Sequence, residues 1–123
     1  MNEDYVSYEV AKLLKEKEFK WKCDNQVVEK IPGTEREEWD EDECAYVTKT
    51  NCNIYPKPTL YMAQKWLRGV QGIHIVIDFK SKDSWYYRIY DLDDNELIKQ
   101  SEGYFNTYED ALQAGILRAL KSI

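Results

Sequence analysis

The sequence predicts an α+β fold, an antiparallel sheet with about three helices packed on one face, and three observations predict it. Apolar residues recur at helical spacing behind a capping residue in three separate stretches. Two adjoining stretches between Ile73 and Tyr90 alternate with period two around a short polar connection, as an antiparallel hairpin does. The 123 residues, 43% hydrophobic and 33% charged, suit a single core spanning residues 1–123 and leave no room for two full domains.

The first helix opens at Ser7, whose hydroxyl can cap free backbone N–H groups, with Glu9 in the positive first turn. Val10, Leu13 and Leu14 form its apolar stripe, and it ends near Lys17. Phe19, Trp21 and Cys23 then alternate with Lys20 and Lys22, the pattern of a strand with one buried face. A turn at Asp24-Asn25 leads to a weaker apolar stretch, Val27 to Ile31, stopped by Pro32-Gly33.

Residues 34–43 hold seven carboxylates against Arg36 alone, and like charges that dense predict a solvated acidic loop inserted into the domain. Trp39 within it is a candidate partner anchor. Residues 44–50 return to strand character, and Asn51 to Pro58 is turn-rich, with two prolines that cannot donate to a sheet interior.

Pro58-Thr59 opens the second helix, with Leu60, Ala63, Trp66, Leu67 and Val70 along one stripe and Gly72 as a left-handed stop. Ile73, Ile75, Ile77 and Phe79 alternate with His74, Val76 and Asp78; after Lys80 to Ser84, Trp85, Tyr87 and Ile89 alternate with Tyr86, Arg88 and Tyr90. An Asp93-Asp94-Asn95 turn precedes a short strand at Leu97 to Gln100. The third helix starts at the capping-box pattern Thr107-Tyr108-Glu109-Asp110, and Gly115 on its apolar face predicts close approach to the sheet.

Chemistry-bearing motifs are missing. There is no glycine-rich phosphate loop, no Gly-x-Ser-x-Gly elbow and no His-Glu-x-x-His pair, so no catalytic residue and no cofactor are expected. A small enzyme relying on Asp, Glu, Tyr or Cys is the rival reading. Cys23, Cys44, Cys52 and His74 lack the close ligand pairs of structural zinc sites, and an odd cysteine count fits reduced thiols in a cytoplasmic setting. Asp91, Asp93, Asn95 and Glu102 match four positions of a calcium loop, but Glu96 stands where that loop requires glycine and the preceding residues read as a strand. The expectation is a polar turn and no metal. No apolar run approaches bilayer length and the start, Met1 to Asp4, is acidic, so no membrane association is expected. A net charge of −6 opposes phosphate contacts, so no nucleic acid is expected either.

If the helices cover the face built by Ile73, Ile75, Ile77, Phe79, Trp85, Tyr87 and Ile89, then His74, Val76, Asp78, Tyr86, Arg88 and Tyr90 line the other. A Tyr-Arg-Tyr row is the composition enriched at protein interfaces. His74, Tyr86, Arg88, Tyr90 and Trp39 are therefore the candidate partner-binding residues, for another protein or for a second copy of the chain.

Three blocks, Val6 to Lys17, Pro58 to Arg68 and Phe105 to Gly115, resemble those of a family of small prophage and mobile-element proteins of gut Bacteroides-type bacteria. The chain departs from that pattern at Gly69, where the family carries Glu, and in the acidic insert. The resemblance implies a bacterial or phage cytosolic setting and transfers no catalytic residue. A non-catalytic interaction module acting on a host or phage protein, or on itself, is the expected function.

Overall fold

In the computed structural model, which describes residues 4–123, each helix starts where its cap residue predicts. Ser7 Oγ accepts from Val10 N at 3.2 Å and opens α1 (Tyr8–Glu16). Thr59 Oγ1 accepts from Met62 N at 3.1 Å and opens α2 (Leu60–Val70). Thr107 Oγ1 accepts from Asp110 N at 3.1 Å and opens α3 (Tyr108–Lys121). Each oxygen satisfies one of the first-turn N–H groups that have no partner within the helix. Met1, Asn2 and Glu3 of the acidic start lie outside the described residues.

The end of α1 explains the first departure from the sequence pattern. Glu18 adopts a φ of 65°, a left-handed position usually given to glycine. The chain turns back so that Glu18 N donates to Lys15 O and Phe19 N to Leu14 O. This double bond pattern is the Schellman closure, and its customary apolar contact is supplied by Phe19 and Leu14, both buried. Residues 19–23 consequently form no strand. Phe19 closes the helix and packs on Trp66, with ring centroids 5.3 Å apart.

Residues 26–56 form a folded-back ribbon. β1 (Gln26–Lys30) pairs antiparallel with β4 (Cys52–Pro56), and β2 (Arg36–Asp40) with β3 (Ala45–Lys49). The acidic stretch is thus a strand and a tight turn, not a loop, and the turn-rich stretch after Asn51 also pairs. Two-stranded geometry reconciles both with their sequences. Both faces of β2 and β3 meet water, so neighbouring carboxylates point apart on alternate sides; Pro56, at the last position of an edge strand opposite Gln26, interrupts no central ladder. Asp40 Oδ1 accepts from Asp42 N and Glu43 N, and Cys44 takes a left-handed φ of 51°, which closes the tip.

β5 (Ile73–Ser81), β6 (Ser84–Asp91) and β7 (Glu96–Gln100) form the central sheet in that order, all antiparallel. Ile75 pairs with Ile89 and Ile77 with Tyr87, as the alternation requires. α3 lies on this inner face, and it lies close: a Cβ added to Gly115 would stand 3.0 Å from Ile75 Cγ2 and 3.2 Å from Tyr87 Cβ. The core gathers Leu14, Leu67, Trp66, Ile75, Ile89, Leu112, Ile116 and Leu120. Phe79 does not join it. It sits at the far end of β5, 59% exposed, tilted against Trp85 at 5.3 Å.

The architecture is therefore mixed α+β with antiparallel strands, but the strands divide into three sheets instead of one. Nor do the three helices share one sheet face. α3 covers the central sheet, α2 packs along β5, and α1 is held between α3 and β4. Gln64 of α2 donates through Nε2 to Ile75 O at 2.9 Å, occupying a carbonyl on the edge strand β5.

Candidate functional site

The outer face of the central sheet assembles in rows, because directly paired residues of neighbouring strands share a face. His74, Tyr90 and Leu97 form one row; Val76, Arg88 and Gln100 the next; Asp78 and Tyr86 the third. The ladder shifts register between Ile89 and Tyr90, leaving Ile98 as an extra residue on β7. Leu97 and Ile98 are 49% and 48% exposed, so β7 contributes two large apolar side chains at the margin of the face.

Its polar end is internally matched. Arg88 Nη2 donates to Tyr86 OH at 2.8 Å and stands 3.7 Å from Asp78 Oδ2, while Tyr86 OH donates to the same carboxylate oxygen at 3.4 Å. The guanidinium carbon also lies 5.1 Å from the Tyr86 ring centroid, a cation–π geometry. Tyr104 meets Tyr86 edge-on at 5.9 Å, and Lys80 Nζ lies 5.5 Å from the Tyr104 ring. All of the Tyr86, Arg88 and Tyr90 side chains are half-buried. Tyr86 and Arg88 thus brace one another, which a reading of the row as a free contact surface does not anticipate; Tyr90 has the freer position beside Leu97.

His74 sits at the other end. Its Nδ1 is buried without a hydrogen-bond partner, and burial, then the nearby Arg68 charge, hold its pKa below the usual histidine value. The half-buried imidazole bounds the apolar end of the face.

Trp39 is not brought to this surface. It lies on the β2–β3 tip, 53% exposed, edge-on to its cross-strand partner Tyr46 at 5.3 Å. The candidate residues therefore occupy two places, four on the sheet and one on the ribbon. Leu97, Ile98, Tyr104 and Tyr46 join them. Leu97 and Ile98 carried a signal, since a polar-flanked strand with two adjacent aliphatics cannot bury both; Tyr46 follows once residues 36–40 are seen to be a strand. Tyr104, in an irregular segment after Gly103, has no periodic signature.

The apparent calcium loop is a turn between β6 and β7. Asp91 Oδ1 accepts from Asp93 N and Asp94 N, and Asn95 takes the left-handed φ of 57°, so the acidic residues serve their own backbone. Among the described residues no group of three or more His, Cys, Asp or Glu side chains is gathered to hold a metal ion. A cleft of about 250 Å³ is lined by Tyr5, Cys23, Asp24, Lys57, Pro58, Thr59 and Met62, smaller than the ~300–1,000 Å³ of most small-molecule sites. Cys23 there donates its thiol proton to Asn25 O at 3.4 Å. No described helix is long and apolar enough to cross a membrane. The chain matches no protein-family model, no curated protein and no solved structure.

Proposed function

We propose that this chain is a non-catalytic protein-interaction module of a phage or mobile element, working in the cytoplasm on a host or phage protein or on a second copy of itself through the outer face of its central sheet. One observation carries the reading: Tyr90, Leu97 and Ile98 form an apolar margin on the sheet face opposite α3, beside a tyrosine–arginine–aspartate cluster already hydrogen-bonded within itself. Self-matched polar groups lower the desolvation cost of covering such a face, and aromatic and aliphatic anchors beside them provide the gain.

A second copy suits the face because it carries both members of an ion pair. Under a two-fold axis, Arg88 of each copy can approach Asp78 of the other while the apolar margins meet. Sedimentation of the wild type against Tyr90→Ala with Leu97→Ala tests this. The association constant should fall by more than about tenfold, since interface anchors commonly contribute over ~1.4 kcal/mol, with little change in thermal unfolding. A wild type that stays monomeric at high concentration assigns the face to another protein; association that survives the double substitution removes the face from the account.

A further inference from the structure

Independently of the sheet face, we propose that the β2–β3 ribbon is a second docking element, which seats the Trp39–Tyr46 pair in an apolar pocket ringed by lysine and arginine side chains on another protein. The two rings stand on one face of a two-stranded arm, 53% and 70% exposed, and touch each other edge-on. β2 and β3 pack chiefly on each other, so this aromatic face covers no part of the core. Large exposed rings with no internal role mark contact surfaces.

Charge names the occupant. Residues 34–49 carry seven carboxylates and two cations, against 23 and 17 in the whole chain, so all but one unit of the net charge of −6 belongs to this arm. Both cations are already engaged by one carboxylate: Arg36 Nε lies 2.6 Å from Glu38 Oε1 and Lys49 Nζ 3.5 Å from Glu38 Oε2. That ion triad lies on the face opposite the rings, since Arg36 pairs with Lys49 whereas Trp39 pairs with Tyr46. Glu37 shares the aromatic face, and Glu41, Asp42 and Glu43 surround the tip; none of them has a cation in ion-pairing range among the described residues. A basic rim on the partner would complement this field, whereas the carboxylates repel phosphate backbones. Outside the arm the chain carries 15 cations against 16 carboxylates and so presents no net positive field to it, which favours a different protein as the occupant over a second copy.

Two synthetic peptides test the arm on the full-length protein, one with Lys and Arg flanking a Leu-Phe-Leu centre, the other with that centre replaced by serines. The indole N–H resonances of the four tryptophans report the site by NMR. The first peptide should bind at least about tenfold more tightly than the second and move the Trp39 resonance. It should lose affinity severalfold between 50 and 200 mM salt, about tenfold on Trp39→Ala, and severalfold on combined Glu41→Gln, Asp42→Asn and Glu43→Gln. An unchanged resonance of the core tryptophan Trp66 in each variant shows that the body remains folded. Equal affinity for the two peptides, indifference to Trp39→Ala, or no binding would each overturn the proposal, and none of them bears on the sheet face measured by sedimentation.

Discussion

Replacing Gly115 by alanine sets two known effects against each other at one atom. In a helix interior the substitution alone is worth ~1 kcal/mol of stability, because glycine loses more backbone entropy on folding. Here the added methyl would meet Ile75 Cγ2 at 3.0 Å and Tyr87 Cβ and Cγ at 3.2 Å. Those atoms cannot swing away: Ile75 is fully buried and Tyr87 Cβ is tied to the central strand β6. α3 must lift from the sheet instead, and overpacking of this kind costs ~1–3 kcal/mol plus the gaps opened on either side. The net expectation is a loss of about 1–2 kcal/mol, or a fall in Tm of roughly 4–8 °C for a domain of this size. Gly69 is the control. It also lies in a helix, but a Cβ there meets nothing within 4 Å, so Gly69→Ala should raise stability by about 0.5–1 kcal/mol. Denaturant and thermal unfolding of both variants decide the matter. If Gly115→Ala is as stable as the wild type, the close approach of α3 to the sheet does not govern its packing.

Glu18→Gly should raise stability by up to about 1 kcal/mol, because it relieves the left-handed strain at the Schellman closure while leaving both backbone bonds in place; a loss on denaturant unfolding would refute the strain. His74 supplies a pH dependence. Its folded pKa lies below the unfolded value of about 6.5, so the unfolded chain takes up the proton first and stability is lost as pH falls through 6.5 toward the folded value. The slope of Tm against pH between 7 and 5 should flatten in His74→Gln, and Arg68→Gln should raise the imidazole pKa measured by NMR; an unchanged slope in the first variant would discount the burial of His74.

Elements governed by local rules were legible. Ser7, Thr59 and Thr107 cap their helices because a side-chain oxygen finds its N–H within one turn, and the register of Ile75 on Ile89 follows from period-two burial over long runs. Failures arose where a distant partner decides. Phe19, Trp21 and Cys23 alternate, yet a strand needs another beside it, and the Glu18 turn commits Phe19 to the helix end. The acidic segment reads as a loop on charge alone; what makes it a strand is the complementary run Ala45–Lys49, seen only when the two are folded together. The site divides the same way. Tyr86, Arg88 and Tyr90 share a face by alternation, whereas their bracing by Asp78 and Tyr104 depends on pairings across chain.

The ribbon imposes an order on its own assembly. Joining β1 to β4 directly means closing the loop 31–51, whereas β2 and β3 are linked only by the tip 41–44. Loop-closure entropy falls by about 0.6 kcal/mol for each halving of length, so the tip hairpin zips first and leaves only the links 31–35 and 50–51 to be ordered when the base closes. Ile31 N donating to Asn51 O, and Thr34 Oγ1 accepting from Asn51 N while donating to Ile31 O, stitch those links together last. The most charged part of the arm is thereby the part whose closure costs least chain entropy, while its base is the part that packs on α1.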